Sequence, residues 1–411
     1  MLVLVMQNRS KLSGLLGAAK HLVTEGRYDE AVNQCLGACQ LSPALPDPWI
    51  ELAAIYLLQQ RYELSLQTVA QITMVPDPQQ VRLYLITAAA LRGLGRYTEA
   101  GQVVDAALCL APDDPQVINI KVGILLAQRR YADSLPLIQS ILNVEPSHLE
   151  THLNLGIALH GLRRSVEALA VFDKLLAIKS DHASALMSRS SVLVALARPQ
   201  DALQAADAAL VLQPDAPIAL LNRTAALLAL KRPREALATS ERLLRLNSRH
   251  IKGLINKIIA LLNLNDFSEA LTTTLSALTF DSYNPTLLEL KVQALLGLKR
   301  FTEAASDCQK ILARYPDRIA VNLSLAKALI GLGSSSVALS AVDSVLAACP
   351  NQPEAVALKA EILVGHNAWD SAAILIEEAL DRDQDQAQLW IAKSALLLAK
   401  NQYVEALVAT D

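Results

Sequence analysis

A small residue returns at a nearly constant interval along the whole chain. Ala31, Ser65, Ala100, Ser134, Ala168, Ala202, Ala236, Ala270, Ala304, Ala338, Ala372 and Ala406 follow one another at steps of 34, with one step of 35 between Ser65 and Ala100. A fixed period of this length marks a chain of stacked supersecondary units, each burying its apolar face only against its neighbours. That excludes a single closed core and sets aside the two or three domains that 411 residues would otherwise suggest.

Every copy reads alike. An apolar-periodic segment leads to a tight turn such as Gly26-Arg27-Tyr28 or Gly95-Arg96-Tyr97. A second periodic segment ends at a breaker such as Ser42-Pro43, Pro112, Pro146, Pro214, Pro316 or Pro350. The apolar spacing is helical, and Pro, Asp, Asn and Ser at the ends supply stop and cap signals. The unit is a helix pair, A then B.

Numbering each copy from 1, repeat five carries Gly156 at place 8, Leu159 at place 11, Ala168 at place 20 and Phe172 at place 24. Repeat one carries Ala19, Leu22, Ala31, Ala38 and Pro43, and Trp49 and Trp390 hold place 4 in their copies. This pattern resembles the tetratricopeptide repeat family over essentially the full chain. Place 8, small in that family, departs at Val122, Thr224, Ile258 and Val292. The resemblance implies an all-α, right-handed superhelical solenoid of about twelve 34-residue helix-turn-helix repeats. An extension, 1–11, precedes the array, 12–411. The repeats are 12–45, 46–80, 81–114, 115–148, 149–182, 183–216, 217–250, 251–284, 285–318, 319–352, 353–386 and a truncated 387–411.

The register can be tested inside the sequence. Place 25 on helix B and place 7 of the next copy pair acid with base in Asp105/Lys121, Asp173/Arg189, Asp207/Arg223, Glu241/Lys257, Asp343/Lys359 and Glu377/Lys393. Leu275/Lys291 is the one base without an acid, and no acid faces an apolar place 7. The matching predicts ion pairs between neighbouring repeats rather than a ladder of cations for phosphate.

In the family, places 2, 5, 9, 12 and 13 of helix A face the concave groove. Here they give Leu153, Ile157 and His160, then Met187, Ser191 and Val194, then Leu221, Ala225 and Leu228, then Ile255, Ile259 and Leu262. An apolar patch of that extent marks a binding surface unless superhelical closure buries it. Place 6 carries Asn154, Ser188, Asn222 and Asn256. Spaced amides hold an extended peptide backbone whatever its side chains, since each has donors and an acceptor; simple helix-surface polarity is the other reading. The series resembles the asparagine ladder of the O-linked N-acetylglucosamine transferases, and Asn222-Arg223 is similar to the repeats of bacterial proteins of that kind. Glu51, Ile86, Ile120, Leu290, Leu358 and Ala392 interrupt it.

Other chemistries find less support. Lys20, Lys252 and Lys327 stand alone, so the carboxylate clamp of related arrays is not expected. Arg27, Arg61, Arg96, Arg130, Arg164, Arg198, Arg232 and Arg300 share place 16 in the A–B turn, as a basic stripe that steers acidic partners or as a solvated edge. Aromatic residues are 4% of the chain and gather at place 17, which leaves no stacking platform for nucleic acid. No phosphate-cradling loop or nucleophile elbow is present. His148, His152 and His160 form the only histidine cluster and read as surface residues, not a metal site. Neither cofactor nor catalysis is expected.

With 52% apolar and 19% charged residues, the chain is not of disordered composition. Polar residues punctuate every helix-length window, so no membrane span is expected. Met1–Met6 is apolar but lacks a basic flank and a cleavage-like site. Five scattered cysteines suit buried thiols in a reducing cytoplasm. Asp411 falls at place 25 of repeat twelve, an open end suited to a further domain or to self-association. The expectation is a scaffold that binds a polypeptide along its concave face, or else the substrate-recognition array of a larger enzyme such as a protein glycosyltransferase.

Overall fold

A computed structural model describes residues 2–72, 77–383 and 385–409. The described chain is helical and contains no strand. It falls into two compact units, Met1–Ala197 and Arg198–Asp411, and the sixth repeat contributes one helix to each.

The first unit holds α1 (Leu2–Thr24), α2 (Tyr28–Leu41), α3 (Pro46–Leu58), α4 (Tyr62–Val69), α5 (Asp77–Gly93), α6 (Tyr97–Leu110), α7 (Pro115–Ala127), α8 (Tyr131–Val144), α9 (Leu149–Gly161), α10 (Ser165–Ile178) and α11 (Ala183–Ala195). The second holds α12 (Pro199–Leu212), α13 (Pro217–Ala229), α14 (Pro233–Leu246), α15 (Ile251–Asn263), α16 (Phe267–Leu278), α17 (Pro285–Gly297), α18 (Phe301–Arg314), α19 (Ile319–Gly331), α20 (Ser335–Ala348), α21 (Pro353–Gly365), α22 (Trp369–Leu380), α23 (Ala387–Ala399) and α24 (Tyr403–Val408). Helix α1 runs unbroken across residues 11 and 12, joining the extension to repeat one. The expected truncation at Asp411 lies outside the described residues.

Within each unit, consecutive helices pack together, and each A helix also touches the A helix of the next repeat, as in α7 with α9 and α21 with α23. Among the described residues no B helix touches the next B helix in this way. The A helices therefore line the inner side of the curvature in each unit.

The helix pairs close on the small residue at place 20, which is 0% exposed from Ala31 through Ala372 and 3% at Ala406. Where Ser replaces Ala, its hydroxyl is satisfied: Ser65 Oγ donates to the Ala53 carbonyl at 2.8 Å, and Ser134 Oγ to the Tyr131 carbonyl at 2.7 Å. Buried hydroxyls need such partners.

The departures at place 8 have a steric explanation in place 24, the facing residue on helix B. Gly156 faces Phe172, and a Cβ at Gly156 would lie 2.5 Å from the ring. Where place 8 grows to Ile258, Thr224 or Val292, place 24 shrinks to Thr274, Ser240 or Cys308, all at most 1% exposed. The pair shares one volume, as close packing requires. Val122 with Ile138 is the large–large exception.

A second contact ties neighbouring repeats. Aromatic residues at place 17 lie over glycines at place 13 of the following copy: Tyr62 on Gly93, Tyr131 on Gly161, Phe267 on Gly297 and Phe301 on Gly331. A side chain at those glycines would meet the ring.

Each A–B turn passes through one left-handed residue at place 15. It is Gly at 26, 95 and 333, but Gln60, Arg129, Arg163, Ala197, Lys231, Asn265, Lys299, Asn367 and Asn401 elsewhere, with φ between 53° and 62°. The hydrogen bonds repeat with it: Arg232 N–H donates to the Leu227 carbonyl at 2.9 Å and Lys231 N–H to Leu228 at 3.1 Å. This is the Schellman closure of a helix C-terminus.

Candidate functional site

The structure puts most of the expected groove residues on half-buried inner faces. In the first unit Ile157, Met187 and Ser188 are half-buried, while Leu153 and Asn154 are 6% and 7% exposed. The Asn154 amide donates to Asn119 Oδ1 at 2.9 Å, bridging α9 to α7. In the second unit Leu221, Leu228 and Asn256 are half-buried and Asn222 is 8% exposed. Ile255, Ile259 and Leu262 pack against the core formed by α15 to α19. Leu153, Asn154 and Asn222 thus offer little free surface in this conformation.

An open cleft on the inner face lies further along, in repeats ten to twelve. It has a volume of about 460 Å³ and is lined by Leu358, Val364, Ile391, Ala357, Ala392 and Ala395, with Lys327, Glu354, Glu361 and Gln388 at its edges. These are places 2, 5, 6, 9 and 12 of α19, α21 and α23, the same places as the expected groove. The resemblance to the repeat family implied the places but not this location. The available signal was the run of small residues, Ala357, Ala392 and Ala395, which leaves room between two A helices. Ile391 is 66% exposed in it, and Glu361 makes no ion pair among the described residues. Lys327 is held by Glu354 at 2.5 Å, and Lys20 by Glu51 at 3.3 Å. Two of the three isolated lysines therefore have carboxylate partners.

The register pairs form at the repeat junctions. Lys121 lies 2.6 Å from Asp105, Arg189 2.7 Å from Asp173, Arg223 2.7 Å from Asp207, Lys257 3.3 Å from Glu241 and Lys359 2.8 Å from Asp343. In the sixth junction the geometry differs. Lys393 lies over the Trp390 ring, 5.3 Å from its centroid, and makes no ion pair with Glu377 among the described residues. The indole of the same helix offers the ammonium an alternative cation–π site.

A second partner for place 7 escaped the sequence reading. Lys291, which has no acid at place 25, reaches Asp307 at place 23 of its own repeat, 2.7 Å away. Arg223 donates likewise to Thr239 at place 23. The signal was a second spacing of 16, forward from place 7. Burial disfavours the charged form of Asp307, but hydrogen bonds from Lys291 and Lys310 outweigh it and hold its carboxyl below the usual range.

The arginine stripe is largely neutralised. Arg27, Arg96, Arg164, Arg232 and Arg300 each grip the glutamate three residues on, in forks of 2.6 to 2.8 Å, and Arg130 and Arg198 grip Asp133 and Asp201. The guanidinium hydrogen bonds lower the carboxyl pKa values of Glu30, Glu99, Glu167, Glu235 and Glu303. Arg61, with no acid at that spacing, lies over the Tyr56 ring at 5.2 Å. The edge is a row of ion pairs rather than a positive field.

The three clustered histidines each have a local partner. His148 Nδ1 caps α9 by accepting from Thr151 N–H at 3.2 Å, His152 Nε2 contacts the Pro146 carbonyl at 2.8 Å, and His160 contacts Ser165 at 3.2 Å, its pKa lowered by burial. His182 and His250 cap α11 and α15 in the same way. Among the cysteines, burial pushes the thiols of Cys35 and Cys308 up to about 12 and that of Cys39 to about 11, suppressing thiolate.

These features define an all-α protein of repeated helix pairs whose A helices touch from one repeat to the next within each unit. A tetratricopeptide repeat model matches residues 124–183, 188–250 and 255–319, and a second one matches 295–362, together more than half of the chain. The chain belongs to the tetratricopeptide repeat family. It is similar in fold to the crystal structure of the APC/C hetero-tetramer Cut9–Hcn1, with a TM-score of 0.52, 12% identity, and coverage of 96% of this chain and 89% of that chain. The structure of YrrB, a TPR protein with an unusual peptide-binding site, aligns at a TM-score of 0.39 and 18% identity over 45% of this chain and 95% of that one. No curated protein matches the chain in sequence. No helix among the described residues is long and apolar enough to cross a membrane.

Proposed function

We propose that this chain is a protein-interaction scaffold that holds a polypeptide along the inner faces of its A helices, without chemistry of its own. The observation that carries the reading is the cleft between α21 and α23, where Ile391, Leu358 and Val364 offer an apolar floor beside the free carboxylate of Glu361. It accepts an aliphatic side chain with a basic neighbour. The half-buried Asn256, Leu221, Leu228 and Ile259 extend the same face within the second unit. Free thiols fit a cytoplasmic setting.

The test compares partners captured by the parent with those captured by two folded variants, Ile391→Asp with Ala395→Asp, and Leu221→Asp with Leu228→Asp and Ile259→Asp. A polypeptide lost from either variant places recognition on that stretch. Identical partner sets for all three proteins would refute the inner-face reading. The alternative, a substrate-selecting array for a glycosyltransferase, is supported by the amide series alone. It requires capture of proteins that the transferase modifies, and modification that falls when Asn222 and Asn256 become Ala.

A further inference from the structure

A second cleft, of about 500 Å³, lies in the second unit away from the inner-face places. Its walls come from the loop before α17, from α17 itself and from the end of α18. Leu288 and Ile311 make an apolar floor, and Tyr283 and Tyr315 make aromatic sides. Three cations line it, Lys291, Lys310 and Arg314, against one carboxylate, Asp307. The carboxylate is already shared, 2.7 Å from Lys291 and 3.1 Å from Lys310.

Arg314 differs from the other cations. Its guanidinium stacks on the Tyr283 ring, 4.2 Å from the centroid, and lies 5.8 Å from that of Tyr315. Among the described residues its N–H groups make no ion pair or side-chain hydrogen bond. Stacking orients the planar fork and leaves its edges for a bidentate anion. Tyr283 is held in turn by the Tyr315 hydroxyl, which donates to its carbonyl at 3.4 Å, yet is 63% exposed. An exposed ring pinning an unpaired arginine above an apolar floor is a preorganised arrangement for an acid attached to an apolar group.

We propose that this cleft binds an acidic peptide segment, with a carboxylate or phosphate on Arg314 and the adjoining aliphatic or aromatic side chain on Leu288 and Ile311. The net positive lining supplies charge complementarity. A nucleic-acid strand fits less well: the cleft offers two rings, Tyr283 and Tyr315, rather than a row on which successive bases stack.

The full chain is titrated by fluorescence polarisation with three labelled probes: a peptide of alternating Glu and Leu, the same peptide with a central phosphotyrosine, and an oligothymidylate. The parent binds at least one peptide, and the tighter of the two identifies the acid. Arg314→Gln weakens that peptide about tenfold, the loss of one charge-assisted contact, with an unchanged denaturation midpoint. Tyr283→Ala weakens it as well, while Ile391→Asp, in the inner cleft, leaves it unchanged. The proposal is overturned if neither peptide binds, if Arg314→Gln binds as the parent does, if Ile391→Asp abolishes binding, or if oligothymidylate binds more tightly than both peptides.

Discussion

Shared volume between places 8 and 24 makes a prediction about two glycines of opposite sign. Gly101 and Gly156 both sit inside helices, α6 and α9. Replacing a mid-helix glycine by alanine removes backbone entropy from the unfolded chain and gains about 0.5–1 kcal/mol. A Cβ at Gly101 meets nothing within 4 Å, so Gly101→Ala keeps that gain. A Cβ at Gly156 lies 2.5 Å from Cε1 and Cζ of Phe172, a ring that is 0% exposed. Overpacking of this kind costs about 1–3 kcal/mol, so Gly156→Ala loses about 1–2 kcal/mol net. Phe172→Leu alone opens a void and also destabilises. Combined with Gly156→Ala, the new methyl fills part of that void, and the double variant is more stable than the sum of its parts by about 1 kcal/mol or more. Urea denaturation followed by far-UV circular dichroism measures all four proteins, and an unchanged m value shows that the native state is compared throughout. Equal stabilisation by both glycine replacements, or additivity of Gly156→Ala with Phe172→Leu, would refute the shared-volume argument.

Three further outcomes follow from the turns and the ion pairs. Lys231 holds φ at 56° in its turn, so Lys231→Gly relieves left-handed strain and raises stability by about 0.5–1 kcal/mol; a lower denaturation midpoint would contradict this. Arg223 and Asp207 retain 26% and 49% of their side-chain exposure, which limits their coupling to under about 1 kcal/mol; a double-mutant cycle of Asp207→Ala with Arg223→Leu that returned several kcal/mol would show a buried pair instead. The lowered carboxyl of Asp307 contributes stability that is complete above the unfolded-state value near 3.8 and is lost as pH falls through the lower folded-state value. Asp307→Asn therefore flattens the acid limb of the stability profile, and an unchanged slope there would remove the linkage.

Repeat boundaries, the helix pairs and the buried small residue at place 20 were legible because each is enforced in every copy. The turn conformation was not. Three of the twelve left-handed positions carry Gly and three carry Asn, but six carry residues such as Arg129, Ala197 and Lys231, whose identity announces no positive φ. The arginine edge was legible as a row of cations but not as neutralised. The clue was local, an acid three residues after Arg27, Arg96 or Arg300 across the start of helix B. Place 23 as a partner of place 7 was hidden because it answers only some bases, Lys291 above all. For the inner face, the family resemblance implied the inward places. The depth of a cleft depends on how far two A helices stand apart over small side chains, and Ala357, Ala392 and Ala395 look unremarkable one at a time.

The most direct test of the scaffold account is photocrosslinking from two positions of the same unit. Benzoylphenylalanine replaces Ala395 in the inner cleft in one protein, and Ile374, 59% exposed on helix B, in the other. The account predicts a discrete polypeptide adduct from position 395 that is absent from position 374 and is lost when Ile391→Asp is added. An adduct formed only from position 374, or equally from both, would contradict recognition on the inner face.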